Sequence, residues 1–229
     1  MTDLRPGALG HYVGETGRGY FRWQNRLGRS AGEWNAPFFA PHILPSHSVL
    51  DFGCGAGHLL AALPGSRKVG VEINPAARAA GAPYGFPIVA EPGDLGPERF
   101  DVIVSSHALE HVPAPLDVLR DLRNRLTPNG LLLLLLPLDD WRAPAQRDFA
   151  GPDVNMHLHC WTPRALANLL VVAGFSPRTV RVVTRAFPPL ASHLWRLGRP
   201  CFELAAFVQA VVRRQRQLLA SAVLAASWP

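Results

Sequence analysis

The chain has 229 residues, 48% of them apolar, which suits one globular domain with a full core and leaves a second domain cramped. Its net charge is +6, carried almost wholly by arginine, since Lys68 is the one lysine; apart from Arg213-Arg214-Gln215-Arg216 the arginines are scattered, as on a solvated surface. Three scattered cysteines form no disulfide or metal framework, residues 1–10 lack an apolar signal core, and the leucine run 131–136 is far shorter than the roughly 20 residues of a membrane helix. These features predict a reducing, cytoplasmic setting with no transmembrane segment.

In chain order, residues 1–45 are predicted to form a short helical cap or lid over the mouth of the binding site, with Tyr12, Tyr20, Phe21, Trp23, Trp34, Phe38 and Phe39 among glycines and arginines. Residues 46–229 then read as one α/β domain. VLDFGCGAGHLL (49–60) is a buried strand, a loop with glycine at every second position, and a helix turning Leu59, Leu60 and Leu63 inward. VGVEINP (69–75) is a second strand, followed by an alanine-rich helix capped by Asn74-Pro75. A short strand spans 87–90. FDVIVS (100–105) is the fourth strand, and a helix follows from about Pro115 to Leu126. Pro128-Asn129-Gly130 reads as a turn before a fifth strand of leucines buried on both faces. Residues 143–156 read as a Pro- and Asp-rich substrate wall, and Thr162-Pro163 caps another helix. The chain ends with a sixth strand over 178–184, an inserted helix over about 190–212, and a last antiparallel strand over 217–225.

The glycine spacing is not that of a dinucleotide fold, because G-x-G-x-x-G would require glycine where His58 stands. D-x-G-x-G-x-G from Asp51 to Gly57 instead resembles motif I of the class I S-adenosylmethionine-dependent methyltransferases. Three further segments support the resemblance: VGVEINP, FDVIVSSHALEHVP (100–113) and LTPNGLLLLLLP (126–137). The post-strand-four segment is similar to that of the ubiquinone- and menaquinone-biosynthesis subgroup. The resemblance covers roughly residues 48–183. It implies a Rossmann-like seven-stranded sheet, mostly parallel with an antiparallel last strand, flanked by helices. The implied cofactor is S-adenosylmethionine, with S-adenosylhomocysteine as product. It would be held by Asp51, Gly53, Cys54, Gly55, Gly57, Glu72, Ile73, Asp94, Leu95 and Ser105. Glu72 would take the ribose hydroxyls, since a carboxylate has two acceptor oxygens for a vicinal diol. Asp94 reads either as a partner for the adenine amino group or as a turn residue beside Gly93.

The acceptor is expected to be small or medium in size, a hydroxyl on a sugar or other secondary metabolite. The loop after strand four lacks the Asn/Asp-Pro-Pro-Tyr of many base and amide methyltransferases, and has Ser105-Ser106-His107-Ala108. Histidine is the side chain best suited to act as a base at neutral pH, so His107, His111 and His157 are the catalytic candidates. The resemblance to sugar O-methyltransferases singles out His111, although Glu110 stands where some of those enzymes carry a second histidine. His159 reads rather as structural. Asp139 and Asp140 lie where metal-dependent relatives keep ligands, but Ser106 replaces the third acid, so no metal is expected. An RNA or protein substrate, a non-catalytic cofactor-binding subunit and an apolar helix ending in Arg213 that lies on an anionic membrane are the rival readings. A homodimer is open.

Overall fold

The computed structural model describes residues 10–25, 28–138 and 155–226. A seven-stranded sheet runs through it, with strands β1 (Ser48–Phe52), β2 (Arg67–Val71), β3 (Ile88–Val89), β4 (Phe100–Ser106), β5 (Leu126–Leu138), β6 (Phe175–Val183) and β7 (Arg216–Leu224). They lie in the order β3-β2-β1-β4-β5-β7-β6. All neighbours pair in parallel except β7, which is antiparallel to both β5 and β6. The crossovers reverse direction between β1 and β4, and the carboxyl ends of strands at such a point border the binding crevice of an open α/β sheet.

Helices cover both faces: α1 (Gly14–Gln24), α2 (Gly28–Phe39), α3 (His58–Ala62), α4 (Pro75–Gly81), α5 (Pro115–Asn124), α6 (Pro163–Val172), α7 (Ala191–Arg196) and α8 (Arg199–Arg213). The leucine run shows why two layers are needed. Leu132, Leu134 and Leu136 pack with Leu119 and Leu122 of α5 and Leu166 and Leu170 of α6. Leu133 and Leu135 pack on the opposite face with Phe39 of α2 and Leu59 and Leu60 of α3. Alternation along a strand thus serves two cores at once.

Several boundaries differ from the sequence expectation. Pro128-Asn129-Gly130 lies inside β5 rather than before it, because β5 already begins at the fully buried Leu126, which pairs with Phe100. The extra residues are absorbed by a register shift between Phe100 and Val102. For the same reason α5 stops at Asn124, since Leu126 is claimed by the sheet. Strand β6 starts at Phe175 and tolerates Pro177 at a register shift, as an edge strand can. The inserted helix is two helices, broken where Gly198 adopts φ 115°.

The N-terminal region also divides in two. Tyr12 and α1 stand over the cleft and meet α4. By contrast α2 is a structural layer: Gly32 lies so close to His58 that a Cβ would meet its carbonyl oxygen at 2.3 Å, and Trp34 is fully buried against Phe202 of α8.

Candidate active site

A cleft opens at the carboxyl ends of β1, β2 and β4, between the glycine loop and α1. Its floor follows from two backbone demands. Gly53 has φ 75° and its N–H donates to the Val71 carbonyl oxygen (2.9 Å), while a Cβ there would meet that of Ala108 at 2.3 Å. Gly55 has φ 55°, and a Cβ there would meet nothing within 4 Å, so its backbone faces open space.

Glu72 follows β2 directly and is partly buried. Its Oε2 accepts from the Gly55 N–H and its Oε1 from the Asn74 N–H, both at 2.8 Å. Burial raises its pKa, opposed by these two donors and by Arg78. Asn74 in turn caps α4 through the Ala76 N–H (3.0 Å) and donates to the Gly17 carbonyl oxygen of α1 (2.8 Å). The cleft floor and α1 are thereby tied together.

Of the proposed cofactor residues, Gly53, Gly55, Glu72 and Ile73 line the cleft. The others do not border it. Asp51 is buried beneath the loop, neither of its oxygens has a hydrogen-bond partner, and burial, helped by the nearby Glu72, pushes its pKa up to about 8. Cys54 is buried against Gly70, whose Cβ would meet its sulfur at 2.5 Å, and burial raises its thiol pKa well above the usual range. Gly57 lies under Phe86. Ser105 is fully buried and donates to the Phe52 carbonyl oxygen (2.9 Å), bracing β1 against β4. Leu95 belongs to the core, and Asp94 accepts from the Glu91 N–H (3.1 Å) in a capping box, the turn alternative for that residue. Ala90, Glu91 and Pro92 border the cleft there instead.

At the other end, three imidazoles surround one carboxylate. Glu110 is fully buried, and neither of its oxygens has a hydrogen-bond partner. His107 Nδ1 stands 3.5 Å from its Oε1 and His111 Nε2 3.9 Å from the same atom. His107 adopts φ 53° and anchors its N–H on the Leu135 carbonyl oxygen (2.8 Å), which turns the loop back from β4. Tyr12 reaches in from the N-terminal region: its hydroxyl lies 2.8 Å from His111 Nδ1 and donates to the Asn155 carbonyl oxygen at 2.7 Å. The His157 ring is 5.1 Å from that of His111. Burial lowers the His111 pKa and His157 adds to this, while Glu110 opposes it. His107 and His111 line the cleft, whereas His157 reaches it through His111. His159 is structural, with Nε2 2.8 Å from the Val112 carbonyl oxygen.

Sequence reasoning missed Tyr12 and Glu110 as site members. Glu110 carried a usable signal, as an acid inside a histidine-bearing loop. Tyr12 carried only its place in the aromatic N-terminal lid, with no sign of its contact to His111. Among the described residues, Glu110, His111 and His157 also place one ligand atom each within 4.8 Å of one another, a spacing compatible with a metal ion. The Asp139-Asp140 pair lies outside the described residues.

The Methyltransferase domain family profile matches residues 24–180, more than half of the chain. The chain belongs to this family. By fold and family it is a class I S-adenosylmethionine-dependent methyltransferase, with S-adenosylmethionine as cofactor. The ubiquinone biosynthesis O-methyltransferase of Roseobacter denitrificans is 32% identical over 112 residues, 44% of this chain and 45% of that protein. The enzyme of the same name from Dinoroseobacter shibae is 28% identical over 187 residues, 73% of this chain and 74% of that protein. The match thus spans under half the length of the Roseobacter relative and about three quarters of the other. A solved Haloferax volcanii methyltransferase, determined in complex with the Trm112 activator, superposes with a TM-score of 0.64 at 16% identity, covering 91% of this chain and 96% of that one.

The residues present fit the nucleoside part of this cofactor. Each Glu72 oxygen is engaged by one N–H and keeps a lone pair for a diol, beside a glycine backbone with open space before it. When bound, S-adenosylmethionine supplies a methyl group on a sulfonium, already activated toward a nucleophile.

Proposed function

We propose that this chain methylates a hydroxyl of a small or medium secondary metabolite, with His111 as the base that accepts the hydroxyl proton. The observation that carries the reading is the Tyr12–His111 contact of 2.8 Å inside the cleft. It fixes the orientation of the imidazole ring, and general-base catalysis needs a positioned group of this kind. A His111 pKa below the ordinary value keeps the ring neutral at physiological pH and able to take a proton. The role of Glu110 is positioning: its carboxylate faces His107 and His111 and favours the imidazolium once formed.

The relatives named as O-methyltransferases favour oxygen over nitrogen. Walls of Tyr12, Tyr20, Phe21 and Val112 favour an acceptor with an apolar or aromatic ring over a bare sugar. The test is product analysis by mass spectrometry with a panel of phenols, catechols, sugars and amines, each with and without EDTA. Methylated phenol or catechol oxygen, unaffected by EDTA, is the expected result. Methylation confined to amines sinks the hydroxyl assignment. Loss of turnover in EDTA shows that a metal takes part and overturns the metal-free role of His111 as the base.

A further inference from the structure

We infer that the outer face of α8 docks this protein on an anionic lipid surface. The helix is apolar on both sides. Phe202, Ala206 and Ala210 face inward and are buried, the first two packed with Trp34 and Ala191. On the outside, Leu204, Phe207, Val208, Val211 and Val212 are each between 50% and 71% exposed. Leu190 and Leu197, flanking α7, are also exposed, at 72% and 73%. A helix that is apolar on its buried face and again on its solvent face leaves an apolar stripe without a cover.

Charge decides what covers it. Exposed Arg196 and Arg199 stand at one end of α8, and exposed Arg213, Arg214 and Arg216 at the other. The single acid between residues 190 and 216 is Glu203, which already faces Arg185 at 3.4 Å and Arg199 at 3.7 Å. A second copy of the chain, paired through this face by a two-fold axis, sets arginines against arginines at both ends, whichever way the helices run. A bilayer rich in anionic lipid meets the stripe with its acyl boundary and both arginine groups with phosphate. No helix among the described residues is long and apolar enough to cross a membrane, so the helix lies in the plane of the interface.

The experiment is co-sedimentation of the full chain with vesicles of equal parts phosphatidylglycerol and phosphatidylcholine, against vesicles of phosphatidylcholine alone. The expected result is binding roughly tenfold or more tighter to the anionic vesicles, weakened by salt. Phe207→Ser with Val211→Ser should weaken it by roughly tenfold or more. Arg213→Gln with Arg214→Gln, which leaves the apolar stripe intact, should weaken it roughly fivefold per arginine. Cofactor binding should be unchanged in both variants, since neither touches the cleft. Equal affinity for the two vesicle types, no affinity for either, or a dimer in light scattering that Phe207→Ser with Val211→Ser dissociates overturns the inference.

Discussion

The two ends of the cleft are built in different ways. At the Glu72 end the contacts are local: one carboxylate takes the N–H groups of Gly55 and Asn74, from the loops after two adjacent parallel strands. At the His111 end they are remote in sequence. Tyr12 spans 99 residues to His111 and 143 to Asn155, and His157 approaches from beyond β5. The Glu72 end is therefore set mainly by the sheet and the loops after it, with α1 tied on through Asn74 and Gly17, while the His111 end takes Tyr12 from the N-terminal region. Binding and turnover should accordingly separate under mutation.

The largest separation is expected from His111→Ala. It should lower kcat by roughly 10²–10⁴, the usual share of a general base, and leave the calorimetric affinity for S-adenosylmethionine near wild type. In the wild type, the acid limb of the pH–rate profile should lie below the ordinary histidine range near 6.5, because burial lowers the His111 pKa. Unchanged turnover in the variant would remove His111 from the chemistry.

Gly53→Ala breaks the other end. It adds a Cβ 2.3 Å from that of Ala108 at φ 75°, and overpacking with backbone strain costs about 2–5 kcal/mol. The expected result is loss of cofactor binding with a lowered melting temperature; wild-type values for both would show that the loop relaxes freely. Glu72→Gln is gentler, with a loss in affinity of about 1.5–3 kcal/mol for each hydrogen bond to the charged acceptor that is not remade. Isothermal titration distinguishes this from no effect, which would deny Glu72 a part in cofactor binding.

Asp51→Asn sharpens the comparison from below the loop. The acid ionises near 4 in an unfolded chain and at about 8 in the folded protein. The folded state thus holds an extra proton between these values. Stability that is fully present below pH 4 is lost as pH rises through 8. The wild type should melt progressively lower from pH 5 to pH 9, and Asp51→Asn should flatten that dependence; parallel melting curves for the two proteins would refute it. The smallest effect is expected from Tyr12→Phe, which loses the hydroxyl contacts to His111 and Asn155 while keeping the ring, for about 0.5–1.5 kcal/mol each on kcat/KM.

Much of this protein follows from sequence alone. The order of elements, the two-faced leucine strand and the glycine loop ending near an acidic residue are legible because each rests on local periodicity or on a backbone that only glycine adopts readily. Glu72 is legible for the same reason, as it stands directly after a buried strand. Only the tertiary structure decides the rest. Asp51, Cys54 and Ser105 share a motif with the cleft residues, yet strand alternation and loop curvature turn their side chains into the interior, where Ser105 braces Phe52 and Asp51 loses its solvation. Leu126 joins the sheet ahead of Pro128-Asn129-Gly130 because it is buried beside Phe100, and the register shift lets the three residues bulge out. The union of Tyr12, Glu110, His111 and His157 has no signature in any one stretch of chain. It arises from packing between segments distant in sequence, which the identities of neighbouring residues do not encode.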